Sequence, residues 1–161
     1  MKLKPWMTEV IRWVAVGAIL VCLLVIFGGN PVSNAAFADV SAAVVPEVDK
    51  TNMAEAENQM VKRLYGLDPA KFEGCTLYYP RTNMDAEELL VIKLKEVSQQ
   101  AEVRSAIEAR LQSQKDVFDG YGVSQTDLLT NFSVVDVRGN FVLFVVSKNC
   151  DAAQSAFRDA L

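Results

Sequence analysis

The side chains able to do chemistry are few and unevenly placed along the chain. The densest acidic cluster is Asp85-Ala86-Glu87-Glu88. A loop carrying it has oxygen ligands to offer Ca²⁺, but it lacks the regular ligand spacing and the glycine of a calcium loop. The ordinary reading is a solvated turn started by Asp85. Asp136 falls mid-strand between Val135 and Val137. A wet strand face is the expectation for it; a buried face would demand a partner such as Arg138 or Lys93. Cys75 and Cys150 stand at strand ends, and two readings stay open: a disulfide, or two separate buried thiols. Tyr78-Tyr79-Pro80 and Arg81-Thr82-Asn83-Met84 form the segment that folding rules explain least. Adjacent tyrosines put one ring on each face of a strand, and exposed aromatic, Met and Arg residues are the usual anchors of protein interfaces. Tyr79, Arg81, Asn83, Met84 and Asp85 are therefore the candidate binding residues.

The composition removes whole classes of activity. The 161 residues include no histidine, which excludes Ser-His-Asp and Cys-His catalysis and His-ligated zinc. There is no Walker lysine, dinucleotide fingerprint or nucleophile elbow. No catalytic residue, metal site or cofactor is assigned. Two-carboxylate catalysis depends on spatial separation, and Asp68, Glu73 and Asp85 are the acids such a site would have to gather. From Asp39 onward there are 13 Lys and Arg against 19 Asp and Glu, a net charge of −6. That balance argues against nucleic acid, whose affinity rests on neutralising phosphates. Lys93 and Lys95 with Lys62-Arg63 form at most a modest basic patch, and a solvated strand face is their default.

The N-terminus reads as an address. Lys2 and Lys4 precede an uncharged stretch from Trp13 to Gly29, 17 residues long. As a helix it measures roughly 25 Å, at the lower limit for a membrane span. Residues 1–38 are expected to be a transmembrane anchor or a signal peptide; Ala36-Phe37-Ala38 supplies the small-x-small cleavage pattern of the second reading. The anchor is preferred because Phe27 is far from Ala38 for a peptidase site. Cys22 is then a small apolar residue of the span. In either case basic residues stay inside and the acidic part goes outside. The localisation expected is a single-pass membrane protein with its C-terminal domain outside, or a secreted one if cut after Ala38.

Residues 39–51 lack an amphipathic period and are expected to be an extended spacer, leaving 52–161 as one domain. Asn52 with Glu55 has capping-box spacing, which predicts a first helix from Met53 that Gly66 stops. Asp68-Pro69 opens a short helical turn. Cys75 to Tyr79 predicts a strand. Glu88 to Glu96 predicts another, with Leu90, Ile92 and Leu94 inward and Lys93 and Lys95 in water. A long helix from Ser98 to Phe118 carries the stripe Val103, Ile107, Leu111, Gln114 and Phe118. Ser124 opens a short helix. Gly139-Asn140 joins two further strands in the strongest hairpin signal of the chain, and a last helix starts near Asn149. The fold class is α+β: a four-stranded antiparallel or mixed sheet, two hairpins around a long helix, with helices packed on one face.

Six short motifs occur in order: Tyr65-Gly66-Leu67-Asp68, Phe72-Glu73-Gly74, Asn83-Met84-Asp85 with Glu88-Leu89-Leu90, Ser113-Gln114-Lys115, Gly120-Tyr121-Gly122 and Gly139-Asn140-Phe141. Together they resemble the bacterial domain-of-unknown-function family numbered 4358, over about Met53 to Phe157. The resemblance implies an N-terminal anchor or lipoprotein signal and transfers no catalytic residue. Two functional classes remain open. One is a non-enzymatic, membrane-tethered domain that binds an envelope protein or other envelope ligand. The other is a small carboxylate- or metal-dependent hydrolase or transferase. The family's association with membrane transport and acylation systems adds a variant, an accessory subunit of envelope-polymer modification.

Overall fold

A computed structural model describes residues 12–14, 16–18 and 31–161. Residues 12–14 and 16–18 are helical; most of the expected span from Trp13 to Gly29 lies outside the described residues. Among the described residues, no helix is long and apolar enough to cross a membrane. Val32–Leu161 is one compact unit.

Its centre is a fully antiparallel five-stranded sheet in the order β1-β2-β3-β5-β4. The strands are β1 (Met53–Glu55), β2 (Gly74–Pro80), β3 (Glu88–Lys93), β4 (Ser133–Arg138) and β5 (Phe141–Val146). The helices are α1 (Phe37–Val44), α2 (Asn58–Tyr65), α3 (Gln100–Phe118), α4 (Val123–Asn131) and α5 (Cys150–Asp159). The expected class holds, with a fifth strand and with helices on both faces instead of one. Leu77, Leu90, Ile92, Val142, Phe144 and Val146 pack towards α2, α3 and α4. Leu89, Val91, Phe141, Leu143 and Val145 pack towards α1 and α5. Covering both faces is why β5 is apolar at every position and entirely buried.

Three expectations are corrected here. The stretch 39–51 is not an extended spacer: α1 and the 3₁₀ turn Val45–Glu47 occupy it. Val40, Val44 and Val48 are buried against the sheet, and Phe37 lies so close over Gly74 that a methyl group there would run into its ring. The Asn52–Glu55 capping box is not used. Met53–Glu55 pairs with Tyr78–Pro80 as an edge strand, and the helix starts at Asn58. Lastly, β3 has no wet face. Its second face, Leu89 and Val91, is fully buried, and Lys93 is buried with its Nζ 2.6 Å from Glu73 Oε1 and over the Phe141 ring.

Local rules describe the remaining turns. Gly66 ends α2 in the left-handed region at φ 69°. Asp68 caps the turn at Pro69 by accepting from the Ala70 N–H. A capping box formed by Glu96 and Gln99, not Ser98, leads into α3. Gly139, with φ 54°, takes the first central position of the two-residue turn between β4 and β5, where a side chain would be strained.

Candidate functional site

The β2–β3 loop closes one side of a cleft of about 620 Å³, within the roughly 300–1,000 Å³ usual for ligand sites. Its walls come from three elements. The end of β2 and the loop after it supply Tyr79 to Asp85, α2 supplies Met60, Arg63 and Leu64, and α3 with the turn after it supplies Arg110, Gln114, Val117 and Tyr121. All five candidate binding residues, Tyr79, Arg81, Asn83, Met84 and Asp85, line this one cleft. Tyr79 faces it from the α2–α3 side of the sheet, whereas Tyr78 packs on the other face beneath Lys50.

The loop is held on both flanks. Arg81 donates its Nε–H to the Met53 carbonyl at 2.6 Å, and its backbone N–H to the Asn52 carbonyl at 2.9 Å. Thr82 donates its hydroxyl to Asp85 Oδ2 at 2.8 Å. Gln125 of α4 donates to the Met84 carbonyl at 2.9 Å. These bonds fix the backbone while leaving Met84 66% exposed; Tyr121, which lines the same cleft, is 62% exposed.

Beneath the cleft lies a buried polar cluster that sequence reasoning missed. Glu88 is 1% exposed. It accepts the Tyr65 hydroxyl at 2.6 Å and the Arg110 guanidinium through Nε and Nη2, the latter at 2.9 Å. Gln114, with its amide oxygen turned to Arg110, accepts from Nη1 at 3.1 Å. Burial, then the neighbouring Glu88 charge, pushes the Tyr65 phenol well above its usual range, so Tyr65 serves as a neutral donor. The one available signal was the placement of Gln114 on the apolar stripe of α3.

The other sequence candidates are dispersed. Asp68 pairs with Lys62, Glu73 with Lys93, and Asp85 with Thr82. No group of three or more acidic, Cys or His residues among the described ones is arranged to hold a metal ion. Of the residues a basic patch would have needed, Lys62 and Lys93 are held in these pairs and Lys95 donates to the Ala70 carbonyl. Cys75 and Cys150 are free thiols. They sit in the two cores on opposite faces of the sheet, so the disulfide reading is overturned. Burial pushes the Cys75 thiol up to about 11, which suppresses its thiolate at neutral pH.

Asp136 is also corrected: it is 6% exposed, not wet. Arg138, Arg158 and Gln154 donate to it at 2.9, 2.7 and 2.8 Å. Burial alone would raise its pKa, but the three hydrogen bonds outweigh it and hold the carboxyl below its ordinary 3.8. A lowered folded-state value means that the stabilisation is complete above 3.8 and is lost as pH falls through the folded value. Asp136→Asn should therefore cost about 1.5–3 kcal/mol at pH 7, the range for hydrogen bonds to a charged group. The gap to the wild type should close in acid, as read by urea melts from pH 7 to pH 2.5. A gap that stayed constant with pH would remove the carboxylate from this role.

Sheet, flanking helices and a cleft walled by a pinned loop define a three-layer α+β domain with a preformed recess at one end. The family model for the Domain of unknown function DUF4358 matches residues 46–147. The chain belongs to that family. No curated protein matches it, and no solved structure does.

Proposed function

We infer that this protein is a membrane-tethered extracytoplasmic domain whose β2–β3 loop and adjoining cleft form the contact surface for an envelope protein. The observation that carries this is the convergence of all five loop candidates on one cleft with the exposed Met84 and Tyr121 at its rim. A rigidly held loop that presents apolar and guanidinium groups loses little entropy on binding, which favours recognition.

The tether rests on the charge asymmetry of the N-terminus and on where folding begins. Ser33 donates its N–H to Asn140 Oδ1 and its hydroxyl to the Leu161 carbonyl, each at 2.9 Å. With Phe37 over Gly74, this makes residues 33–38 part of the domain. Cutting after Ala38 would remove them from it, which favours retention of the apolar segment over release.

The test is recovery of partners from detergent-solubilised membranes. Arg81 is left in place because its bond to Met53 is structural. Arg63→Gln, Asn83→Ala and Met84→Ala should each change stability by no more than about 0.5 kcal/mol, as exposed positions do. Recovery of the partner should be lost when the three are combined. If the combined variant and the wild type co-purify the same proteins in the same amounts, the cleft is not the contact surface.

A further inference from the structure

We propose that the cleft recognises an acidic, apolar peptide segment, a partner's Asp or Glu carboxylate being gripped by Arg63 and Arg81 while a neighbouring apolar side chain enters the recess. The inference rests on the cleft being the contact surface and adds the chemistry of what enters it.

Charge is the first argument. The domain carries −6 overall, yet the cleft lining holds Arg63, Arg81 and Arg110 against Asp85 alone. Arg110 is neutralised by Glu88 below it, with both Nε and Nη2 committed there. It therefore forms a polar floor and is not the anion-binding group. Arg63 is exposed, and among the described residues no carboxylate lies within ion-pair distance of it. Arg81 uses Nε on the Met53 carbonyl, which fixes the plane of its guanidinium and leaves its terminal nitrogens to a ligand. Guanidinium groups suit planar carboxylates, which accept two parallel hydrogen bonds.

The apolar half of the ligand follows from the walls. Met60, Leu64, Tyr79, Met84, Val117 and Tyr121 surround the same space. Asn83 at the lip offers an amide able to pair with a peptide backbone. This mixture of apolar wall, neutral amide and paired guanidinium fits a short chain segment better than a bare anion.

Methionine methyl groups provide the readout in the full chain held in a neutral detergent. Met60 and Met84 line the cleft, and the buried Met53 serves as an internal control of folding. With ¹³C-methyl-methionine protein, the probe is acetyl-Leu-Glu-Phe-Asp-amide, compared with its isostere acetyl-Leu-Gln-Phe-Asn-amide. The acidic peptide should move the Met60 and Met84 signals and leave Met53 in place. The amide peptide should bind about tenfold more weakly, the loss expected for one charge-assisted contact. Arg63→Gln should reduce that preference, and the part that remains belongs to Arg81. Equal responses to both peptides would overturn the acidic preference while leaving the cleft as a contact surface. No response in Met60 or Met84, with the partner still recovered from membranes by the wild type and not by the loop variant, would overturn the peptide chemistry alone. A stronger response to phosphatidylglycerol bicelles than to the acidic peptide would also overturn it, in favour of a lipid headgroup.

Discussion

A chain starting at Thr51 is expected to lose its cooperative melt, whereas one starting at Val32 keeps it. Val40, Val44 and Val48 are 0%, 0% and 3% exposed. Burying a valine contributes about 1.5–3 kcal/mol, so their removal costs roughly 5–9 kcal/mol. That rivals the 5–15 kcal/mol that usually separates a folded domain from its unfolded chain. The deletion also strips the cover from Leu89, Val91, Leu143 and Val145, producing an apolar strip on an otherwise intact sheet, and aggregation should follow. A chain starting at Asp39 should be intermediate, because it keeps the three valines but loses Phe37, Ala35, the Ala36 carbonyl that starts α1 and the two Ser33 hydrogen bonds. The check is urea unfolding of the three chains. If the Thr51 chain gave the midpoint and slope of the Val32 chain, α1 would be dispensable.

The second large effect is expected at Glu88. Truncation to alanine leaves the Arg110 charge, 13% exposed at its side chain, without its carboxylate, and the Tyr65 hydroxyl without its acceptor. Breaking a buried ion pair from one side costs about 3–5 kcal/mol, most of it the penalty of the charge left behind. Replacing both partners, Glu88→Leu with Arg110→Met, should be much milder than either single change, because no charge is then stranded. Glu88→Gln should fall between, since the amide oxygen still accepts from Arg110. Chemical denaturation at pH 7 reads every one of these variants. A Glu88→Ala cost below about 1 kcal/mol would mean that water reaches the pair.

The sequence alone determined whatever depends on neighbours along the chain. The Gly139-Asn140 turn, the left-handed Gly66, the Asp68-Pro69 cap and the stripe Val103, Ile107, Gln114 and Phe118 all follow from short-range sterics and helical period. So does the placing of β5 inside the sheet, because six consecutive apolar residues tolerate water on neither face. The family resemblance and the candidate loop were legible for the same reason: both reside in contiguous residues. The tertiary structure decided the rest. Residues 39–51 carry no period of their own, and they become an ordered layer only because the sheet offers Leu89, Val91 and Leu143 to cover. Asn52 and Glu55 satisfied a capping rule, but strand pairing with Tyr78–Pro80 won. Glu88, Lys93 and Asp136 looked like solvated charges because their partners Arg110, Glu73 and Arg158 lie 20 or more positions away in sequence. The thiols were separated by the sheet itself, and the cleft was assembled from three elements that meet only after folding. Periodicity records whether a side chain is buried on one face of its own element; it carries no information about which distant segment covers the other face or neutralises a charge there.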